Sequence, residues 1–364
     1  RICLVGSEMC IRDSDEAASN IDAKDKVDVI SKIEDIRAQM QADRDFAKAE
    51  ADYRALIAAE PTLAEARMGL ARALGAQGKD AEAEAVYREA LTQQPTSSIL
   101  RINLANVLAA QDRHEEGLQE MLAVLEQVPG DGGAQIGALR MLTDLDRDDE
   151  ALAMAQKWLE EKPGDPALQA HIGVLLARKG DTDAAFELLK ESLKDDVPRQ
   201  LVHRTLAIIQ MQRNHPKLAL MNYRKEIKYF PQDPKMHLQC ARILMGLKDW
   251  EEANKEFIEY NKRAPGDVMI LQPWAQTVFN MGDFNKAGEI LAPAVLAMPD
   301  NPDVLLLHAN ILAKVGDRAE AEAVAARANE LNRKRVEEMK KNGGRPPGLS
   351  PLQQPPGAPP APPQ

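Results

Sequence analysis

The chain has 364 residues, a formal net charge of −11 and a hydrophobic share of 44%, so it can bury a sizeable core. The acidic balance argues against a nucleic-acid binder, because such proteins carry basic surfaces that neutralise phosphates. No stretch approaches the roughly 18 uninterrupted apolar residues of a transmembrane helix. We therefore expect no nucleic-acid partner and no membrane span.

The first fourteen residues, RICLVGSEMCIRDS, match nothing that follows them. They lack an initiator methionine, a basic start before an adequate apolar run, and a small-residue cleavage site, so they make a poor signal peptide. The string resembles a translated sequencing adapter. We expect residues 1–14 to be non-native and residues 15–28 to form a linker; an unusual native N-terminus is the alternative. If residues 1–14 are non-native, the sequence does not indicate the cellular compartment. The alanine-rich composition favours a bacterial source.

A fixed spacing of 34 residues runs through the rest of the chain. Prolines recur at this spacing, with Val197 in the one skipped position: Pro61, Pro95, Pro129, Pro163, Pro231, Pro265 and Pro299. A small residue stands twelve positions before each slot: Ala49, Ala83, Gly117, Ala151, Ala185, Ala219, Ala253, Ala287 and Ala321. A second small slot lies 24 positions before most of the prolines. Small side chains let helix backbones approach closely, so the period predicts closely packed helices.

Each 34-residue repeat predicts two helices. The first, as in 64–77, carries apolar residues at helical spacing. A polar turn such as Gly78-Lys79-Asp80 follows, in which glycine ends one helix and aspartate begins the next. The second helix stops before the proline, and Pro-Gly-Asp at 129–131, 163–165 and 265–267 forms the turn into the next repeat.

The segment AEARMGLARALGAQGKDAEAEAVYREALTQQP (64–95) and its copies resemble the tetratricopeptide repeat family. The resemblance covers residues 29–332 and implies an all-α, right-handed superhelical solenoid of about nine antiparallel helix pairs. The family's tryptophan early in the first helix is absent. Its slot holds Arg67, Arg101, Gln135, Gln169 and His203, a departure that leaves the fold expectation intact.

Two segments follow the repeats. Residues 333–342 are basic and suit the end of a capping helix, where cations favour the helix dipole. Residues 343–364 are rich in proline and predict a disordered tail. This tail could serve as a solvated spacer or as a polyproline ligand for an aromatic groove.

The sequence contains no catalytic motif, and we expect no catalytic site, no metal site and no cofactor. His203 and His237 are one period apart and could share a metal. The alternative is that each occupies the slot left by the absent tryptophan. Cys240 falls in a bulky buried slot and predicts an inert core thiol.

The resemblance implies that the first helices line a concave groove that binds a protein or peptide. Positions 23 and 20 residues before the prolines then select the groove residues Arg72, Asn106, Arg140, Val174, Ile208, Met211, Arg242, Met245, Gln276 and Phe279. The arginines near the beginning could accept a carboxylate-bearing segment through forked hydrogen bonds. The apolar members further on could form an adaptable contact patch. The alternative is that these side chains are ordinary solvated or inter-repeat residues.

The favoured function is a non-catalytic scaffold or assembly factor that binds a partner protein. One alternative is the substrate-docking array of a larger enzyme of the glycosyltransferase or kinase type. A catalytic domain encoded upstream would distinguish this alternative from a free-standing scaffold. A third reading, RNA binding by similar helical pairs, is disfavoured by the acidic charge.

Overall fold

A computed structural model describes residues 23–61 and 63–341, and within these residues it contains α-helices and one short 3₁₀ turn but no strand. The chain divides into two compact units at Arg199 and Gln200. We call residues 23–199 the N-terminal unit and residues 200–341 the C-terminal unit. The segment expected to be non-native (1–14) and the proline-rich tail (343–364) lie outside the described residues.

The N-terminal unit contains five helix pairs. They are α1 (Ala23–Asp43) with α2 (Phe46–Ala59), α3 (Ala64–Ala76) with α4 (Asp80–Gln93), α5 (Ser98–Ala110) with α6 (His114–Gln127), α7 (Gly132–Asp144) with α8 (Asp148–Glu161), and α9 (Pro166–Arg178) with α10 (Thr182–Glu191). Helix α1 begins at Ala23, inside the stretch expected to be a linker.

The C-terminal unit contains four pairs. They are α11 (Val202–Gln212) with α12 (Pro216–Tyr229), α13 (Lys235–Gly246) with α14 (Trp250–Arg263), α15 (Leu271–Asn280) with α16 (Phe284–Ala297), and α17 (Pro302–Val315) with α18 (Arg318–Lys341). A 3₁₀ turn, Val268–Ile270, leads into α15. The expectation of an all-α chain of nine helix pairs is confirmed over the residues that the structure describes.

The recurring small residues lie where the two helices of a pair meet. Ala105 on α5 and Gly117 on α6 show the geometry, since a Cβ atom on Gly117 would lie 3.0 Å from the Ala105 carbonyl oxygen. Ala83 and Ala151, at the same slot in other repeats, are fully buried. Small residues therefore set the separation of the helices, and larger side chains such as Tyr87 fill the core around them.

One residue in each repeat adopts a left-handed backbone conformation between the first and second helix. The series keeps the 34-residue period: Arg44, Gly78, Asp112, Asp146, Gly180, Asn214, Lys248, Gly282 and Gly316. The glycines at 78, 180, 282 and 316 were expected, because glycine adopts a positive φ without steric cost. Aspartate and asparagine tolerate this conformation, whereas Arg44 and Lys248 adopt it against their preference.

The repeat pattern is interrupted where Val197 replaces proline. Helix α10 has 10 residues, whereas α4, α6 and α8 each have 14. Irregular backbone follows α10, and the Arg199 guanidinium holds it by bonding the Asp195 carboxylate and the Ser192 carbonyl oxygen. In the next unit, Leu201 has a positive φ, and its N–H donates to Oε1 of buried Glu226 at 3.1 Å. At the start of α11, a carboxylate distant in sequence therefore takes the place of a local N-cap residue. Asp131 is an example of such a local cap, at the start of α7.

Ion pairs connect consecutive repeats in the N-terminal unit. A similar arrangement recurs from α2 to α9, with a carboxylate on the second helix of one repeat and a cation at the end of the first helix, or in the turn that follows it, in the next. The pairs are Glu50–Lys79 at 2.7 Å, Glu84–Arg113 at 2.6 Å, Glu115–Arg147 at 3.0 Å and Asp148–Arg178 at 2.8 Å. The hydrogen bond from Lys79 is the main reason why the pKa of Glu50 falls to about 2.

Candidate functional site

The exposed side of the first helices in the N-terminal unit brings four expected residues onto consecutive repeats. Arg72, Asn106, Arg140 and Val174 lie on α3, α5, α7 and α9, and α7 contacts both α5 and α9. Arg140 is exposed and the other three are half-buried. We call this set, together with His171, the first-helix face of the N-terminal unit.

Asn106 and Arg140 are directly connected. The Arg140 guanidinium donates a hydrogen bond to Oδ1 of Asn106 on the preceding repeat. Among the residues that the structure describes, no carboxylate lies within ion-pair distance of Arg72 or Arg140. Arg88 and Arg147, in contrast, contact Glu84 and Glu150 at 2.8 and 2.6 Å.

Two tyrosines lie near Arg72. Burial raises the pKa of Tyr87 to about 12, and the positive charge and hydrogen bond of Arg72 oppose that rise. The charge of Arg72 also opposes the raised pKa of Tyr53, as does Arg37 on α1. The phenols are therefore neutral at pH 7 and leave the cationic charge at this end of the face uncompensated.

His171 on α9 joins this face, although its spacing did not select it. Burial, assisted by the positive charge of Arg140, lowers the pKa of His171 to about 4. The imidazole is therefore neutral at pH 7 and offers one hydrogen-bond donor and one acceptor. The sequence signal that could have identified it is a histidine three positions before Val174, on the same side of one helix.

The expected residues of the C-terminal unit fall into two groups. Ile208 and Met211 on α11 are each 42% exposed, so they form an exposed apolar pair one helical turn apart. Arg242 on α13 is exposed as well. These three side chains are available for contact.

The other three expected residues of this unit are less accessible. Met245 packs against a core cluster that contains Phe257. Phe279 packs against another, and its ring centroid lies 5.1 Å from that of Phe284. Gln276 donates to Asn280 at 3.3 Å. Met245 and Phe279 therefore contribute mainly to packing.

The slot of the absent tryptophan forms the same polar contact within three of the helix pairs. Three pairs place a donor on the first helix against a partner 19 residues later on the second. They are Arg101–Glu120 at 2.7 Å, His203–Asn222 at 3.4 Å and His237–Glu256 at 2.7 Å. Burial lowers the pKa of His203, whose ring stacks on Tyr229. Both histidines thus contact the second helix of their own pair, as the tryptophan-slot reading predicts.

The remaining features to consider are Cys240, possible metal ligands and possible membrane spans. Cys240 is fully buried, and burial raises the pKa of its thiol to about 12, which confirms the expected core thiol. The described residues contain no group of three or more histidine, cysteine, aspartate or glutamate side chains that could hold a metal ion. None of the described helices combines the length and apolar composition needed to cross a bilayer.

Two family models, both described as tetratricopeptide repeat, match the chain. One covers residues 39–98, and the other covers residues 76–140 and 279–341. Comparison with curated proteins gave no match.

Solved structures with a similar fold share little sequence with the chain. The human IFIT1 dimer with PPP-AAAA matches with a TM-score of 0.50 and 16% identity, over 84% of this chain and 73% of that one. YrrB, described as a TPR protein with an unusual peptide-binding site, matches with a TM-score of 0.43 and 20% identity, over 51% and 95%. TTC0263, a thermophilic TPR protein of Thermus thermophilus, matches with 0.44 and 20%, over 50% and 100%.

The matched residues lie within the helix pairs described above. Repeats of this type support protein–protein interaction and are generally non-catalytic. The matched segments of the chain are therefore tetratricopeptide repeats, and these repeats form a scaffold for protein interaction.

Proposed function

We propose that the first-helix face of the N-terminal unit binds a carboxylate-bearing segment of a partner protein, and that the chain acts as a non-catalytic scaffold or assembly factor. The observation that carries this proposal is the pairing state of the arginines. Arg88 and Arg147 contact carboxylates, whereas Arg72 and Arg140 on the face have no such partner among the described residues. The chain carries a net charge of −11, yet both arginines of this face lack a carboxylate partner among the described residues.

The chemistry of the face fits a carboxylate. A guanidinium presents its N–H groups in a planar fork that matches two carboxylate oxygens. The bond from Arg140 to Asn106 holds the fork in place, so less side-chain entropy is lost when a ligand binds. Neutral His171 and apolar Val174 extend the face with a hydrogen-bonding group and a contact for an apolar side chain.

The C-terminal unit offers a second, apolar contact of its own. Exposed Ile208 and Met211 can pack against apolar partner side chains, and methionine adapts to different shapes. Arg242 lies on the next first helix and is exposed. We propose that these residues bind an apolar part of a partner.

The experiment compares two matched double variants of the full chain on an array of 12-residue peptides that differ in their number of aspartates and glutamates. We expect R72Q/R140Q to weaken the binding of acidic peptides at least tenfold. The control R88Q/R147Q removes the same charge from arginines that are already paired, and we expect less than a twofold change. If both variants lost affinity for acidic peptides equally, the change in net charge would explain the result, and the proposal would be contradicted.

The apolar contact needs a different substitution. Glutamate at Met245 or Phe279 would disturb packing, because both side chains contact core clusters. I208E/M211E changes only exposed side chains. We expect this variant to lose binding of peptides with apolar side chains and to keep its helical circular-dichroism signal; unchanged binding would exclude this contact. An oligonucleotide that binds in preference to every peptide would overturn the protein-partner assignment.

A further inference from the structure

Helix α12 in the C-terminal unit has an exposed stripe that is both cationic and apolar. Its lysines Lys217, Lys225 and Lys228 are exposed, and Leu218 and Met221 between them are 44% and 48% exposed. The spacings of three, four and seven residues place these side chains along one side of the helix. An open depression of about 380 Å³ is lined by all of these residues except Leu218, together with Leu220 and Arg224.

The three lysines lack acidic partners. Among the described residues, no carboxylate lies within ion-pair distance of Lys217, Lys225 or Lys228, and the Lys228 ammonium lies 5.5 Å from the ring centre of its neighbour Tyr229. Lysines on the next two second helices are paired: Lys255–Glu252 at 2.6 Å, Lys262–Glu259 at 2.7 Å and Lys286–Glu289 at 2.7 Å. Uncompensated positive charge therefore distinguishes α12 from α14 and α16.

The fold does not require this stripe. The core-facing side of α12 is a separate set of buried residues that includes Ala219, Tyr223 and Glu226. Arg224 marks one boundary of the stripe, because it turns towards α14 and pairs with Glu252 at 3.0 Å. An exposed side that combines cations with large apolar side chains, and that contributes nothing to the core, is typical of a contact surface.

We propose that the α12 stripe, defined as Lys217, Leu218, Met221, Lys225 and Lys228, docks an acidic amphipathic helix of a partner protein. The stripe runs from Lys217 to Lys228, a rise of roughly 16 Å or three helical turns, which one short helix can cover. Carboxylates on that helix would pair with the three lysines, while its apolar side chains cover Leu218 and Met221.

The surroundings favour a narrow acidic helix over a flat anionic membrane. Glu252 and Glu256 lie beside Arg224 at the boundary of the stripe, and Glu251 on α14 is exposed as well. A membrane surface that reached the lysines would also approach these carboxylates, and like charges repel. A single helix can contact the lysines and avoid the carboxylates.

The test is a selection from a displayed library of helix-compatible 14-residue peptides. The full wild-type chain is the bait, and the K217Q/K225Q/K228Q variant removes peptides that bind elsewhere. We expect the selected peptides to carry aspartate or glutamate together with apolar residues at helical spacing. Their affinity should fall at least tenfold in this triple variant.

The matched control is K255Q/K262Q/K286Q, which loses three paired lysines from α14 and α16 and should bind the selected peptides within twofold of wild type. R72Q/R140Q should bind them equally well, because this surface is separate from the first-helix face of the N-terminal unit. The proposal is overturned if neutral or basic peptides are selected, or if no peptide depends on the α12 lysines. It is also overturned if phosphatidylserine vesicles bind the wild-type chain through these lysines more tightly than any selected peptide.

Discussion

Arg140 and Asn106 occupy the same position in consecutive repeats, and the arginine donates its hydrogen bond to the asparagine across the boundary between those repeats. A hydrogen-bonded pair is thereby built from two copies of one slot. Because the slot recurs every 34 residues, exchanging one side chain changes the chemistry of the face without changing the repeat that supports it.

The charge of Arg140 should contribute to the low pKa of His171. Burial and that charge lower the pKa of His171 to about 4 from its ordinary value of 6.5. In the R140Q variant we expect the pKa to rise but to stay below 6.5, because burial, the larger cause, remains; the NMR shift of the imidazole Cε1–H during a pH titration measures it. R88Q should leave it unchanged, and an unaltered value in R140Q would contradict the contact.

The same shift gives a pH dependence of stability. Between about pH 6.5 and pH 4, the unfolded chain binds a proton at His171 that the folded chain does not, so acid favours the unfolded state. We expect the contribution of His171 to the free energy of unfolding to fall as the pH decreases through this window. Urea denaturation of wild type and H171Q at pH 7 and pH 4.5 measures it, and H171Q should show the weaker pH dependence.

Cys240 should be chemically silent in the folded chain. Burial raises the pKa of its thiol to about 12 from 9.0, which lowers the thiolate fraction at pH 8 roughly 1000-fold. With Cys3 and Cys10 replaced by serine, we expect almost no reaction with Ellman's reagent until urea unfolds the chain. Rapid reaction under native conditions would show that the thiol is accessible.

Lys248 adopts a left-handed backbone conformation with a φ of 61°, where glycine stands in four other repeats. Replacing it with glycine should raise the free energy of unfolding by about 1 kcal/mol. Gly282→Ala provides the reverse control at the equivalent position, with a loss of about 1 kcal/mol. Urea midpoints report both changes, and destabilisation by Lys248→Gly would contradict the backbone argument.

Gly69 on α3 is required by a close contact with a tyrosine. A Cβ atom there would lie 2.2 Å from the ring of Tyr53, which is itself 1% exposed. We expect Gly69→Ala to cost about 1–3 kcal/mol. Gly246→Ala has no atom within 4 Å of the added methyl group and should be neutral or stabilising by up to about 1 kcal/mol. Equal effects on the thermal midpoint would disprove the steric explanation.

The period predicted the helix pairs well, because the spacing of prolines and small residues reports directly on helix ends and helix contacts. It also placed Arg140 beside Asn106. It did not identify His171, because a single histidine has no partner in the pattern. Nor did it show that Phe279 packs against Phe284, since exposure depends on neighbours from another helix.

The α12 stripe was missed for a related reason. Lysines at helical spacing occur on α12 and α14 alike, and only the structure shows that Lys255 is paired with Glu252 while Lys225 is unpaired. Sequence periodicity indicates which side of a helix a residue occupies. It does not indicate whether a counter-charge from the same or a neighbouring helix reaches that residue.

The ion pairs that join consecutive repeats, such as Glu84 with Arg113, have a consequence for cooperativity. A repeat array behaves as a one-dimensional lattice, in which the interface term decides how many repeats melt together. Part of that term in the N-terminal unit is electrostatic, and dissolved salt screens it. We therefore expect concentrated salt to weaken the coupling between neighbouring repeats, so that the end repeats melt more independently there than in dilute buffer.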